Sequence, residues 1–266
     1  MSTLVRSITI WRTHRARLEG RRIGFVPTLG GLHAGHMSLL ERSQSENEVS
    51  VLSILLNPTQ FDDAADLAAY PASFEQDWAQ AEALGVDFVF CPEPTAMYPD
   101  DYRYRVSESV VSQTLCGAHR PGHFDGVLTI VMKLLQIVRP DSAYFGEKDY
   151  QQLRLIEGMV EAFFLPVEIV SCPIVRESDG LAMSSRNARL TTGQRRLAAM
   201  FPSVLKAALP AAVVRRRLAG YGFDVDYVED SDGRRLGAVR LGDVRLIDNV
   251  PAPALSEAPV HEGAPS

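Results

Sequence analysis

The feature that most constrains this chain is residues 23–40, IGFVPTLGGLHAGHMSLL. A short apolar run, Ile23 to Val26, stops at Pro27 and gives way to a turn rich in small residues through Thr28, Gly30, Gly31 and Gly35. The apolar spacing of Met37, Leu39 and Leu40 then predicts a helix. A strand, a Gly-rich turn and a helix in that order bring backbone N–H groups and a helix N-terminus onto a phosphate. The spacing matches neither the dinucleotide fingerprint nor the P-loop. Two histidines, His33 and His36, stand at the turn instead. Imidazoles there can donate to phosphate oxygens and stabilise charge as a phosphorus–oxygen bond changes, and the glycine between them lets backbone approach a nucleotide. A surface turn or half a metal site is the alternative for a His pair alone.

Further along, residues 48–56 (EVSVLSILL) read as a buried strand, so strand, helix and strand form a βαβ unit with a parallel sheet. Residues 7–18 predict a helix before it. Residues 73–84 predict a helix with a Ser73 N-cap and Gln76 as capping partner, followed by a strand at 86–90. Residues 127–138 form an apolar run too long for a strand and are expected as a buried helix. Strands are expected at 142–145 and 167–170. Polar groups cluster just past strand ends, where open α/β sheets bind ligands: Asn57 and Gln60, then Lys148, Asp149 and Gln152. Lys148 offers a compact charge for phosphates, and Asp149 can accept from ribose hydroxyls. The loop at 117–124 holds Arg120, able to meet a phosphate or carboxylate. Ser184, Ser185 and Arg186 make a polyphosphate clamp, because arginine stays charged and donates in a planar fork. Turn contacts, helix caps or a surface loop would use the same residue types. Asp77 lies in a predicted helix, where a solvated face is the ordinary role and a metal ligand the other.

From residue 191 the texture changes. A helix-forming stretch at 191–220 and strands at 223–228, 237–241 and 244–247 suggest a small α+β domain. The expected organisation is 1–174, 175–250 and a disordered Pro/Ala/Ser-rich tail at 251–266. A net charge of −6 over 266 residues argues against general nucleic-acid or anionic-membrane binding. No run approaches a membrane span or the apolar core of a signal peptide. Three scattered cysteines fit neither a disulfide framework nor a zinc site. A cytoplasmic enzyme or binding module is expected.

Four segments in one order, VPTLGGLHAGHMSLL from Val26, SILLNPTQF from Ser53, FGEKDYQQL from Phe145 and VRESDGLAMSSRN from Val175, resemble the pantoate–β-alanine ligases. RLIDN from Arg245 extends the likeness more loosely. The resemblance implies an α/β fold: a Rossmann-like nucleotidyltransferase domain with a parallel sheet, a small α+β C-terminal lid domain, and a homodimer. It implies that pantoate attacks the α-phosphorus of ATP with Mg2+, and that β-alanine then captures the acyl adenylate. By that resemblance Thr28, Leu29, His33, His36, Gly146, Lys148, Asp149, Val175, Met183, Ser184, Ser185 and Arg186 bind ATP. His36 takes the position of proton donor, and Lys148, Ser184, Ser185 and Arg186 neutralise the departing pyrophosphate. Gln60 and Gln152 hydrogen-bond pantoate by the same resemblance, with Asn57 nearby, while the residues themselves leave Arg120 a candidate substrate contact and Asp77 a candidate metal ligand.

Three features depart from the usual pattern: Leu29-Gly30-Gly31, Leu55-Leu56 before Asn57, and a C-terminal region that looks short. Three readings therefore stay beside pantothenate formation: a related ligase using another hydroxy acid or amine, a plain nucleotidyltransferase, and a non-catalytic nucleotide-binding module.

Overall fold

A computed structural model describes residues 1–71 and 73–254. The chain divides into two compact units: Met1–Ser178 with Ala182–Arg189, and Asp179–Leu181 with the chain from Leu190 onward.

The first unit is built on a parallel six-stranded sheet. Its strands are β1 (Thr3–Val5), β2 (Ile23–Thr28), β3 (Val49–Ile54), β4 (Phe88–Phe90), β5 (Ser142–Gly146) and β6 (Glu168–Cys172), in the order β1-β4-β3-β2-β5-β6. Every residue of β3 is buried, as in a sheet covered on both faces, which explains its unbroken apolar reading. β1 escaped the sequence reading because three residues carry no measurable period. The connecting helices are α1 (Ile8–Arg17), α2 (Ala34–Glu46), α3 (Ala64–Ala68), α4 (Phe74–Leu84), α5 (Pro94–Met97), α6 (Cys116–His119), α7 (His123–Val138) and α8 (Tyr150–Ala162). From β2 the chain winds one way to β3 and β4, while β5 lies on the other side, so a topological switch point falls between β2 and β5. The crevice at the carboxyl ends of such strands is where open α/β sheets bind ligands.

Three local expectations are corrected. The Ser73–Gln76 capping pair does not form; Ser73 Oγ donates instead to Glu75, at 3.4 Å. The segment at 117–124 is not all loop. It holds the end of α6, and α7 starts at His123, four residues before the expected apolar run. Residues 182–189 belong to the first unit although composition places a boundary near 175. Met183 N–H donates to the Val175 carbonyl at 2.9 Å, and Arg176 bridges Ala182, which ties the segment back to β6.

The second unit packs three helices on a three-stranded antiparallel sheet. The helices are α9 (Thr192–Ala198), α10 (Met200–Leu205) and α11 (Ala211–Gly220); the strands are β7 (Asp224–Ser231), β8 (Arg234–Leu241) and β9 (Val244–Pro251), in that order. The single helix-forming stretch at 191–220 is three helices, with Pro202 tolerated in the first turn of α10 and Pro210 preceding α11. Thr191 and Gln194 form a capping box at α9. Phe201, Leu205, Val214 and Leu218 pack with Val239, Leu241, Leu246 and Val250 into one core. Of the expected tail, Pro251 ends β9 and residues 255–266 lie outside the described residues. Among the described residues no helix is long and apolar enough to cross a membrane.

Candidate active site

One pocket in the first unit opens at the carboxyl ends of β2, β3 and β5. It gathers Thr28, Leu29, His33 and His36 from the first turn, Asn57 and Gln60 after β3, and Arg120 before α7. Gly146 ends β5, Lys148 and Asp149 lie in the turn after it and Gln152 in the first turn of α8, and Val175, Met183, Ser184, Ser185 and Arg186 come from the returning segment. Every residue singled out from the sequence lines this pocket except Asp77.

Asp77 has a different task. It is 2% exposed, and its two oxygens accept from Gly31 N–H (2.8 Å) and Leu32 N–H (2.7 Å). A Gly-rich turn has no sheet or helix partner for these donors, and an unsatisfied buried N–H costs about 1–3 kcal/mol. Asp77 is therefore a brace for the turn rather than a solvated face residue. Among the described residues no group of three or more His, Cys, Asp or Glu is placed to hold a metal ion.

His33 caps α2 through its ring: Nδ1 accepts from Gly35 N–H at 3.1 Å. That bond requires a lone pair on Nδ1, so the neutral ring carries its proton on Nε2. Gly35 earns its place sterically, since a Cβ there would lie 2.8 Å from His33 Cε1. The His33 and His36 rings stack with centroids 4.1 Å apart and a 31° tilt. Burial, then the Lys148 charge, lowers His33 to about 4. Burial, then His33, then Lys148, lowers His36 to about 3. Both imidazoles are neutral at pH 7 in this pocket, so fixed positive charge has to come from elsewhere.

Lys148 and Arg186 carry it. Lys148 Nζ lies 3.6 Å from the Asp149 carboxylate. Burial raises the Asp149 carboxyl, but Lys148 and then Arg186 outweigh it and hold the group below its usual range. Arg186 lies over the Tyr70 ring, 5.3 Å from its centroid, and Ser185 Oγ donates to the Tyr70 hydroxyl at 3.1 Å. Each arginine expected to meet an anion also has a carboxylate partner from the segment after β3. Arg120 pairs with Asp62 at 2.7 Å, and Arg186 with Asp66 at 2.8 Å. Arg189 shares Asp66, at 2.7 Å.

Four side chains that the sequence did not assign shape the site. Phe61 and Tyr70 line it and meet edge to face, with centroids 5.8 Å apart. His123 also lines it and is neutral, lowered to about 3 by burial and then by Arg120. Its Nδ1 lies 2.7 Å from the Gln60 carbonyl, which can only accept, so the proton sits on Nδ1 and Nε2 accepts from Arg120 at 3.1 Å. Tyr98 stands behind the wall and reaches the site through Asn57 (2.6 Å). The remaining lining is apolar: Leu55, of the altered Leu55-Leu56 pair, with Val127, Ile130, Val131 and Leu134 of α7. Such a pocket can hold a polyanion at one set of residues and a small branched acid against another.

A family model described as Pantoate-beta-alanine ligase matches residues 3–251. A pantothenate synthetase of Bdellovibrio bacteriovorus is 53% identical over 253 residues, covering 94% of this chain and 99% of that protein. One from Coxiella burnetii is 49% identical over 251 residues, covering 94% and 97%. Among solved structures, pantoate-beta-alanine ligase from Francisella tularensis, complexed with beta-gamma ATP and beta-alanine, superimposes with a TM-score of 0.91. It is 38% identical, with 95% of this chain and 98% of that one covered. Pantothenate synthetase from Thermus thermophilus matches with a TM-score of 0.86 at 38% identity, covering 94% and 99%. This chain belongs to the pantoate–β-alanine ligase family.

Proposed function

We infer that this chain condenses pantoate with β-alanine to pantothenate, using ATP and releasing AMP and pyrophosphate. The observation that carries the reading is the convergence of His33, His36, Lys148 and the Ser184–Arg186 run at the switch point of the sheet.

The chemistry runs in two displacements. A pantoate carboxylate oxygen bonds to the α-phosphorus of ATP as the bond to the bridging oxygen of pyrophosphate breaks. The β-alanine amine then bonds to the acyl carbon, AMP leaves with its oxygen, and the nitrogen gives up a proton. Neither step needs a covalent bond to the enzyme, so the pocket works by alignment and electrostatics.

Neutral His33 and His36 serve as hydrogen-bond donors to the phosphates, with His36 closest to the role of proton donor. Lys148 and Arg186 supply the positive charge, and Ser184 and Ser185 the hydroxyl donors, for the charge that grows on pyrophosphate. Asp149 and the Gly146 backbone hold the ribose, and backbone at Val175 and Met183 the adenine. Thr28 Oγ1 donates to the Ser53 carbonyl at 2.7 Å, which keeps the turn carrying Leu29 in register with β3. Gln60 and Gln152 hold pantoate against the apolar wall, and Arg120 faces a substrate carboxylate. Mg2+ enters with ATP as the substrate's own counter-ion on the phosphates. We place the reaction in the cytoplasm, a setting that suits cysteines outside any disulfide, as Cys91, Cys116 and Cys172 are. We also propose a homodimer; Tyr104, Val110 and Val111 are large apolar side chains left exposed in the single chain.

The test is to supply ATP, Mg2+ and pantoate without β-alanine, quench, and look by mass for pantoyl adenylate with stoichiometric pyrophosphate. Its formation is the expected result. Pyrophosphate released without pantoate, or only once β-alanine is added, would overturn the order of steps.

A further inference from the structure

Asn57 is 1% exposed, and its carboxamide is committed on both ends. Nδ2 donates to the Gly126 carbonyl (3.3 Å) and to Gln60 Oε1 (2.9 Å). Oδ1 accepts from the Tyr98 hydroxyl (2.6 Å) and the Thr59 hydroxyl (3.0 Å). The Gly126 carbonyl can only accept, so it decides which end of the Asn57 amide faces it. Asn57 therefore offers N–H to Gln60, and Gln60 has to answer with its carbonyl oxygen. The Gln60 NH2 group is left without a protein partner among the described residues, on a side chain that lines the pocket.

The far end of this relay is firmly built. Tyr98 meets Tyr102 edge to face at 5.5 Å, and Lys133 Nζ sits 4.3 Å from the Tyr98 ring centroid. Lys133 is itself fixed by the Met97 carbonyl at 2.8 Å. Burial pushes the Tyr98 phenol up to about 12, so it remains a donor across the range in which an enzyme works. Gly126 completes the arrangement: a Cβ there would lie 2.3 Å from the Thr59 carbonyl oxygen and 2.7 Å from Gln60 Cα. Only a bare backbone lets α7 come close enough for its carbonyl to reach Asn57.

We propose that Tyr98 is a positioning residue that acts through Asn57 to hold the Gln60 amide as a hydrogen-bond donor to the acid substrate. The pocket thereby selects a hydroxy acid presenting an oxygen acceptor at that point and disfavours one presenting a donor. This rests on Gln60 as a pantoate contact.

The experiment compares Tyr98→Phe, Gln60→Ala and the double variant by steady-state kinetics for all three substrates. Tyr98→Phe keeps the ring contacts and removes one hydroxyl. Loss of one hydrogen bond predicts a rise in pantoate KM of about five- to tenfold, with kcat and the KM values for ATP and β-alanine within about twofold. In the Gln60→Ala background Tyr98→Phe is expected to raise pantoate KM no further, because the relay has lost its end. Additive effects in the double variant, or a rise in all three KM values, would make Tyr98 merely structural and overturn the proposal. Gln60→Glu, which keeps an oxygen for Asn57 and replaces the NH2, gives an independent check. A wild-type pantoate KM for that variant removes the donor claim. Unchanged pantoate KM in Gln60→Ala is a separate failure, that of Gln60 as a substrate contact.

Discussion

The two units bury charge in different ways. In the second, Arg235 is 0% exposed and donates twice to Asp230, at 2.7 and 2.9 Å, and once to the Ala207 carbonyl. Arg240 and Arg245 share Asp226. In the first unit Lys148 just past β5, Arg120 before α7 and Arg186 on the returning segment all line an open pocket. Their carboxylate partners are Asp149, Asp62 and Asp66. A buried pair closed on itself is costly to break, whereas charge lining a crevice can meet a ligand.

The largest break of this contrast is Lys148→Ala. If Lys148 acts on the departing pyrophosphate as proposed, its removal is expected to lower kcat/KM by about a hundred- to thousandfold, with little change in melting temperature; activity assays beside calorimetry check both. Arg235→Ala should do the reverse. It leaves the Ala207 carbonyl and Asp230 without their donor, and breaking a buried pair of this kind costs about 3 kcal/mol or more. Denaturant unfolding should register that loss, while KM values in the folded fraction stay near wild type.

The third contrast is graded by pH. His33, His36 and His123 all have folded-state values below the unfolded value near 6.5: about 4, 3 and 3. The unfolded chain binds more protons between those limits, so stability is fully present above pH 6.5 and falls as pH drops toward 3. Imidazole nitrogen NMR at pH 5.5 should find these three rings neutral. Three charged rings at that pH would mean the pocket is wetter than its geometry implies.

Much of the site was legible because its residues follow strand ends. His33, His36, Asn57, Gln60 and Lys148 each come within a few positions of a buried apolar run. That pattern links local sequence to the crevice of a parallel sheet. The partners were not legible, because their contacts span long stretches of chain: 41 residues from Asn57 to Tyr98, 63 from Gln60 to His123 and 115 from Tyr70 to Ser185. No periodicity carries such information. The bracing contacts of Asp77 were hidden for a related reason. Helical spacing gives its face but not the two backbone N–H groups of a distant turn that need an acceptor. Pro202 and Pro210 did mark where the 191–220 stretch divides, but composition rich in Ala, Leu and Arg concealed it.

The central claim is that one pocket in the first unit activates pantoate with ATP and hands it to β-alanine. The most direct test follows pyrophosphate and product mass from ATP and Mg2+ with each substrate omitted in turn. The account predicts pantothenate and AMP only with both pantoate and β-alanine, and pyrophosphate whenever pantoate is present. Absence of any pantoate-dependent turnover would contradict it.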